Sequence, residues 1–298
     1  MTIYGLTPEE RETYDRKGFI YRSLPPSFDM DAVRHGLFNE LAWANFAKNN
    51  SLARLYVTRN RHFDLKAIAG LCQERAILDP SEDFLGPNLL TWRTHVFFGP
   101  ASYGIDWHRD MYWGLLSDPY KQVTVHIAIT PSTEDNCLCM LPGSHKMTCE
   151  EVEAAFNVRK DRDNHEQAPM YLARDDSPVQ GAEKVLLKTG DFIIFHPNIV
   201  HTSKNLDMAA AELKGKPREG FLESYKTMLN KTNFLTSVAS GSVTPPPWLR
   251  VAMAIRIIPP EVEVQLEAMA RTKGRDRCSL LQGSNEPPVN ELLPMMTR

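Results

Sequence analysis

Apolar and polar side chains alternate with two different periods along this chain. Over about the first 85 residues the apolar positions recur at helical spacing, which predicts helices over 7–18, 29–49 and 64–72 and a turn at 80–84. A capping box with Pro8 at the first helical position marks where the first helix begins. The N-terminal part is therefore predicted to be mainly helical, with one short strand over 19–21.

The period changes after residue 85. Short stretches rich in β-branched and aromatic residues, separated by Gly, Pro and Asp turns, predict strands over 88–98, 121–130, 136–141, 185–188, 191–195 and 250–257. Because helices do not alternate with these strands, the pattern indicates a sandwich or barrel and not a parallel βαβ sheet. We expect a helix again over 260–273, followed by a loosely ordered, proline-containing tail.

Two long stretches interrupt the predicted strands. The stretch 148–176 is charged and starts with a helical pattern, and the stretch 206–248 ends in three consecutive prolines. Insertions of this length are lids, binding loops or surface decoration, and the pattern leaves these alternatives open. We expect a single domain, with a helical part over 1–85, a β core over 86–260 and a C-terminal helix and tail over 261–298.

Composition narrows the class of protein. The 298 residues are 42% hydrophobic and 24% charged with a net charge of −3, which excludes collagen-like and disordered chains and argues against a nucleic-acid binder. The sequence holds no run of about 18 apolar residues and no signal-peptide pattern, so we expect no membrane partner. Five cysteines, an odd number, indicate reduced thiols and a cytoplasmic protein. The expected partner is a small molecule, and the oligomeric state is not indicated.

A candidate metal site comes from three residues. His108 and Asp110 project from one side of an extended segment, and His201 ends an apolar run 93 residues later. Two imidazoles and one carboxylate form the set that binds non-haem Fe(II) and leaves one face of the metal open. His-x-Asp also arises by chance, so on this motif alone a buried structural histidine beside a turn aspartate is the better interpretation.

Further motifs in a fixed order change that balance. After the His-x-Asp motif come LPGSH at 141–145, GDFIIF at 190–195, HTSKN at 201–205 and then Arg250. This order resembles the phytanoyl-CoA dioxygenase family of Fe(II)/2-oxoglutarate oxygenases over about residues 84–260. Within it, residues 85–94 and 106–108 are similar to the syringomycin-type aliphatic halogenases. The resemblance implies a mainly β fold with flanking helices and a double-stranded β-helix (jelly-roll) core, with Fe(II), 2-oxoglutarate and O₂.

The resemblance also implies roles for individual residues. The two histidines and the aspartate of the candidate site would bind iron. Arg250 would pair with the distal carboxylate of 2-oxoglutarate, with help from Ser203, and Arg256 competes for that role. His126 stands where many relatives carry tryptophan and would also contact 2-oxoglutarate.

One departure from the halogenase pattern bears on the outcome of the reaction. Those enzymes have a small residue at the position of Asp110, which frees a place on iron for chloride. The retained carboxylate predicts hydroxylation with release of succinate and CO₂. Desaturation, epoxidation and ring closure need the same set of residues and stay open.

The substrate pocket is predicted from alternation and from the family pattern. Thr91, Arg93, His95 and Phe97 share one face of a predicted strand. Core packing or a surface position is the alternative for each candidate. The candidate substrate contacts are Arg93, His95, Tyr112, Trp113 and Arg256.

The resemblance implies a substrate that is an amino acid or a small natural-product intermediate, either free or tethered to a carrier protein. Inward-pointing Arg93 and His95 would favour a free substrate with a carboxylate. Two other classes stay open: a non-catalytic jelly-roll protein that binds a metal or ligand, and another metal-dependent enzyme such as an isomerase. The isomerase would need neither Arg250 nor 2-oxoglutarate.

Overall fold

The computed structural model describes residues 3–46, 59–100, 105, 107–134, 136–156, 158–160, 170–173, 179–203, 249–266 and 276–296. Five helices lie in these residues: α1 (Pro8–Lys17), α2 (Met30–Phe46), α3 (Lys66–Cys72), α4 (Arg75–Leu85) and α5 (Cys149–Phe156). The strands up to the middle of the chain are β1 (Phe19–Ser23), β2 (Leu89–Pro100), β3 (Trp107–His108), β4 (Val123–Ala128), β5 (Leu138–Met140) and β6 (Val158–Lys160). The later strands are β7 (Met170–Ala173), β8 (Glu183–Val185), β9 (Asp191–Phe195), β10 (His201–Thr202), β11 (Leu249–Ile258) and β12 (Ser279–Gln282).

The predicted helical N-terminal part is confirmed. In α1 the Thr7 hydroxyl accepts a hydrogen bond from the Glu10 amide, and the Glu10 carboxylate accepts one from the Thr7 amide. The helix ends at Gly18, whose φ of 86° suits glycine. The predicted turn at 80–84 is instead the longer helix α4, because Pro80 is accommodated inside it.

The strands form two antiparallel six-stranded sheets. The major sheet has the order β1-β9-β4-β11-β2-β12, and the minor sheet has the order β6-β7-β3-β10-β5-β8. Buried side chains of both sheets, among them Ile193 and Phe195 of β9 and Leu138 and Met140 of β5, pack together between them. The predicted mainly β fold with a double-stranded β-helix core is confirmed.

Side-chain alternation in the major sheet separates the core from the site. Val125 and Ile127 of β4 and Met253 and Ile255 of β11 face a large apolar core to which α2, α3 and α4 contribute. The intervening residues of the same strands face the minor sheet. The helices thus cover one face of the major sheet and leave its other face to line a cavity.

The chain after residue 260 differs from the prediction. Residues 260–265 are turns and bridges, and the second half of the predicted helix, 267–273, lies outside the described residues. The tail that we expected to be loosely ordered adds β12 to the edge of the major sheet. The Asn290 amide donates to the carbonyls of Pro260 and Val262 at 3.0 and 2.8 Å. This one polar side chain therefore ties the C-terminal tail to the segment that follows β11.

The two predicted insertions have different outcomes. The stretch 148–176 contributes α5, β6 and β7, and the last two belong to the minor sheet. The stretch 206–248 lies outside the described residues. Among the helices that the structure describes, none has the length and apolar character required to cross a membrane.

Candidate metal centre

The predicted metal-binding residues lie together between the two sheets. His108 ends β3 and is the direct register partner of His201 in β10, with 4.1 Å between the two ring centroids. Asp110 follows two residues after His108, and its Oδ1 lies 3.7 Å from the His108 Nε2. One ligand atom from each of the three residues lies within 4.8 Å of the others, and all three residues are buried.

The protonation of the cluster suits metal binding. Burial and the neighbouring His108 lower the pKa of His201 to about 3, so this imidazole is neutral near pH 7 and keeps a lone pair for a metal. The carbonyl of Ile199 lies 3.1 Å from its Nδ1, which leaves Nε2 as the ligand atom. Burial opposes ionisation of Asp110, but Arg256 and the two histidines hold its pKa below the usual range.

Asp110 is held by a complete set of partners. The Tyr112 hydroxyl donates to Oδ1 at 2.9 Å, and the Thr124 hydroxyl donates to Oδ2 at 3.3 Å. The Arg256 Nη2 lies 3.2 Å from Oδ2. The Gln122 amide also donates to the backbone carbonyl of Asp110 at 3.0 Å. The orientation of the carboxylate is therefore fixed by the protein itself.

This donor set fits a non-haem Fe(II) ion. Two neutral imidazoles and one ionised carboxylate occupy one side of a metal and leave the opposite side for other ligands. Among the residues that the structure describes, this is the one group of three that could hold a metal ion. The buried cluster favours the metal-site interpretation of His-x-Asp over the chance interpretation.

The residue between two of the ligands has a structural role. Arg109 projects to the opposite side of the segment, where its Nη2 donates to the carbonyls of Ser144 and Met147 at 3.1 and 2.8 Å. The LPGSH motif supplies the first of these carbonyls. His145 itself contacts the carbonyl of Asp15 at 3.1 Å and is no ligand. The motif thus holds the metal-binding segment from behind.

The residues predicted to hold 2-oxoglutarate lie at one end of the cavity. Arg250, Ser203 and His126 line it together with His201. The Arg250 Nη1 donates to the carbonyl of Asn136 at 2.8 Å, and burial lowers its pKa to about 10, so it remains a cation near pH 7. The Ser203 Oγ accepts from the amide of Ile105 at 2.7 Å, which leaves its own proton for another acceptor.

Arg250 and Arg256 occupy opposite ends of one strand face. They are six residues apart on β11, so alternation places them on the same side, about 20 Å apart along the strand. Ala252 and Ala254 lie between them, and Ala254 lines the cavity. Arg256 is paired with Asp110, whereas Arg250 is bonded to a backbone carbonyl.

A β-bulge sets the direction of the predicted substrate residues. The register between β2 and β11 shifts between Arg256 and Ile257, where Arg93 is the partner of Arg256 and Thr91 that of Ile257. The extra residue, Trp92, interrupts the simple alternation. The prediction that Thr91 shares a face with Arg93 is wrong for this reason. Arg93 and the partly buried His95 share a face of β2 by alternation, but neither is among the residues that line the cavity.

Neither Tyr112 nor Trp113, two of the predicted substrate contacts, lines the cavity. Tyr112 is buried and bonded to Asp110, and the guanidinium carbons of Arg93 and Arg256 lie 5.2 and 5.0 Å from its ring centroid. Trp113 is 51% exposed, packs edge-on against Tyr120 and is not among the residues that line the cavity. The chain turns after Asp110, so neighbouring aromatic residues point apart.

Sequence reasoning missed several residues of this region. Thr124 lies two residues before His126 on the same face of β4, so alternation could have found it. Asp276 is fully buried and binds the Arg93 Nη2 at 2.6 Å, and Asn60 donates to its other oxygen at 2.9 Å. These contacts span more than 180 residues, so no local signal announces them.

Comparisons with known proteins agree with this geometry. The family model described as phytanoyl-CoA dioxygenase (PhyH) matches residues 31–206, which is more than half of the chain. A sequence search of curated proteins finds no match.

Solved structures show the same fold at low sequence identity. The structure described as "non-heme monooxygenase; ThoJ apo" is 20% identical with a TM-score of 0.59 and covers 96% of this chain and 87% of its own. CytC3 with Fe(II) and α-ketoglutarate is 20% identical with a TM-score of 0.58, covering 97% and 93%. HygX from Streptomyces hygroscopicus with nickel and 2-oxoglutarate is 14% identical with a TM-score of 0.53, covering 86% and 88%.

The family match over residues 31–206 includes His108, Asp110 and His201, the cluster that could hold a metal ion. The chain belongs to the phytanoyl-CoA dioxygenase family and is an Fe(II)- and 2-oxoglutarate-dependent oxygenase.

Proposed function

We propose that this protein hydroxylates an aliphatic C–H bond of an amino acid or a small natural-product intermediate. One oxygen atom of O₂ enters the product, and the other enters succinate as 2-oxoglutarate loses CO₂. The observation that carries the proposal is the retained Asp110, whose two oxygens are held by Tyr112, Thr124 and Arg256 at the third protein-ligand position.

The residues that would hold the cofactors follow from the cavity. His108, Asp110 and His201 would bind Fe(II). Arg250 and Ser203 would hold the distal carboxylate of 2-oxoglutarate, since a guanidinium fork and a free hydroxyl proton are good partners for a carboxylate. Bound Fe(II) with 2-oxoglutarate supplies O₂ activation.

The remaining lining residues orient the ligands and keep out water. Burial, then Arg250 and His201, lower the pKa of His126 well below its usual range, so this ring is a neutral hydrogen-bonding group. Phe97, Leu138 and Phe195 form apolar walls around the cluster. A dry cavity strengthens the pairing between Arg250 and a carboxylate.

The test is substrate-dependent release of succinate from 2-oxoglutarate and O₂, followed by mass analysis of the product. Hydroxylation makes the product one oxygen atom heavier than the substrate, and the label of ¹⁸O₂ appears in it. A product that is two hydrogens lighter would assign desaturation or ring closure instead. A protein that binds iron but neither binds nor consumes 2-oxoglutarate would overturn the proposal.

The compartment belongs to the same proposal. The structure holds all five cysteines as reduced thiols, and four of them are buried. This state is typical of a reducing cytoplasm, where we place the protein.

A further inference from the structure

A group of arginines lies next to the metal centre, and its member Arg256 lines the cavity at the end opposite Arg250. Arg256 and Arg93 are direct partners on neighbouring strands, so their side chains start side by side on the inner face of the major sheet. His95 pairs with Ala254 in the same way, and an isolated bridge pairs His95 with Arg59. Three guanidinium groups and one imidazole thus share a single corner of the sheet.

Like charges placed directly opposite each other destabilise a sheet, so this corner needs a compensating anion. Among the described residues, two carboxylates lie within it. Asp276 already binds Arg93 and Asn60 with its two oxygens, and Asp110 is a metal ligand as well as the partner of Arg256. Three positively charged arginines therefore face two carboxylates, and one of these, Asp110, would also bind the metal dication.

The arginines keep buried donors without partners. Nε of Arg59 and of Arg93, and both Nε and Nη1 of Arg256, are inaccessible to solvent and make no hydrogen bond within the described part of the chain. Arg93 and Arg256 are only 7% and 4% exposed. Buried donors of this kind cost free energy unless an acceptor reaches them.

The surroundings favour an anion over a neutral acceptor. Burial and the three arginines lower the pKa of His95 to about 3, so near pH 7 the ring is neutral and carries one N–H that can donate to an acceptor. The Tyr112 ring packs against the guanidinium groups of Arg93 and Arg256 and shields them from solvent. A planar carboxylate matches the fork of donors that a guanidinium presents.

We infer that Arg59, Arg93 and the unpaired side of Arg256, with His95, bind a free carboxylate of the substrate. This inference rests on the proposed function and names its substrate class: a small carboxylic acid such as a free amino acid, not a carrier-bound thioester, in which that carboxylate is consumed. Because Arg256 contacts both the metal ligand Asp110 and this corner, the reacting carbon lies only a few bonds from the carboxylate.

The first experiment is a calorimetric titration of the Fe(II)-loaded protein under anaerobic conditions with saturating 2-oxoglutarate. The probe is acetate, and acetamide at the same ionic strength is its uncharged counterpart. We expect acetate to bind and acetamide not to bind. Arg59→Gln should weaken acetate binding by about tenfold or more, because a charged hydrogen-bond partner is lost. Arg11→Gln, an equivalent change at a half-exposed surface pair, is the matched control.

Arg59 is the better test position because it forms no ion pair with a carboxylate in the described part of the chain. The loss of Arg93, in contrast, would leave the buried Asp276 unpaired. Arg93→Lys keeps the charge and removes the fork, so it should weaken acetate binding in a protein that still folds. Equal binding of acetate and acetamide, or an acetate affinity unchanged in Arg59→Gln, would overturn the inference.

The second experiment compares free amino acids with their methyl esters and their carrier-bound thioesters in the succinate-release assay. Stimulation by free acids alone supports the inference, and stimulation by esters or thioesters overturns it while leaving the oxygenase activity intact. If no compound stimulates release, the acetate titration decides. A protein that fails to bind 2-oxoglutarate but binds acetate through Arg59 would contradict the proposed function and not this site.

Discussion

Arg250 and Arg256 lie on one face of β11 but have different partners and different roles. Arg250 donates to the Asn136 carbonyl and pairs with no carboxylate among the residues that the structure describes, and its side chain lines the cavity. The Arg256 Nη2 instead forms an ion pair with Asp110 and helps to orient this candidate metal ligand. Both arginines are buried cations, so each one needs an anion as its partner. For Arg256 this anion is the carboxylate of Asp110, and for Arg250 we propose the distal carboxylate of 2-oxoglutarate.

Asp110→Ala removes the ion-pair partner of Arg256 at the metal end of the cavity, and it has the largest expected effect. Loss of the carboxylate removes a metal ligand and strands Arg256, so substrate-dependent succinate release should fall by more than about 100-fold. Iron content and succinate release are measured together. Asp31→Ala, at a side chain that is 82% exposed, is the control and should match the wild type. Full activity in Asp110→Ala would contradict the ligand assignment.

Arg256→Gln tests the ion pair itself. Removing one partner of a buried pair leaves Asp110 uncompensated, so the free energy of unfolding of the metal-free protein should fall by about 3 kcal/mol. Adding Fe(II) should narrow the gap, because the dication replaces the guanidinium as the counter-charge. Denaturant unfolding with and without metal measures both values. Arg11→Gln at the surface should cost about 1 kcal/mol or less, and a loss as small in Arg256→Gln would count against the pair.

Arg250→Gln tests the other end. We expect KM for 2-oxoglutarate to rise by about 10- to 100-fold, which is the worth of a hydrogen-bonded charge. Because Arg256 lies about 20 Å away along the strand, Arg256→Gln should change this KM by less than about threefold. An equal rise of the KM for 2-oxoglutarate in both variants would contradict the proposal that Arg250, and not Arg256, binds 2-oxoglutarate.

Tyr112→Phe has the smallest expected effect. It removes one hydrogen bond from Asp110 and keeps the ring beneath the arginines, so iron affinity should fall by about tenfold. Trp113→Phe changes the adjacent, exposed aromatic residue and should leave iron affinity unchanged. Equilibrium iron binding in the two variants separates a supporting hydroxyl from a general effect of this turn.

Much of the site could be predicted where local patterns carry it. His108 and Asp110 are two residues apart in an extended segment, and the order of motifs up to Arg250 indicated the family that the chain matches. Prediction failed where the chain departs from simple alternation. The bulge at Trp92 moved Thr91 off the expected face, and the turn after Asp110 sent Trp113 to the surface.

By itself, the sequence determined the β core with helical flanks, because strand period is a local property of the chain. Through the family that its motif order resembles, it also indicated the cofactors and the three candidate metal-binding residues. Only the tertiary structure decided that Arg256 pairs with Asp110 and that the tail delivers Asp276 to Arg93. Tertiary contacts of this kind join residues separated by more than 140 positions, and cross-strand register, not sequence period, brings them together.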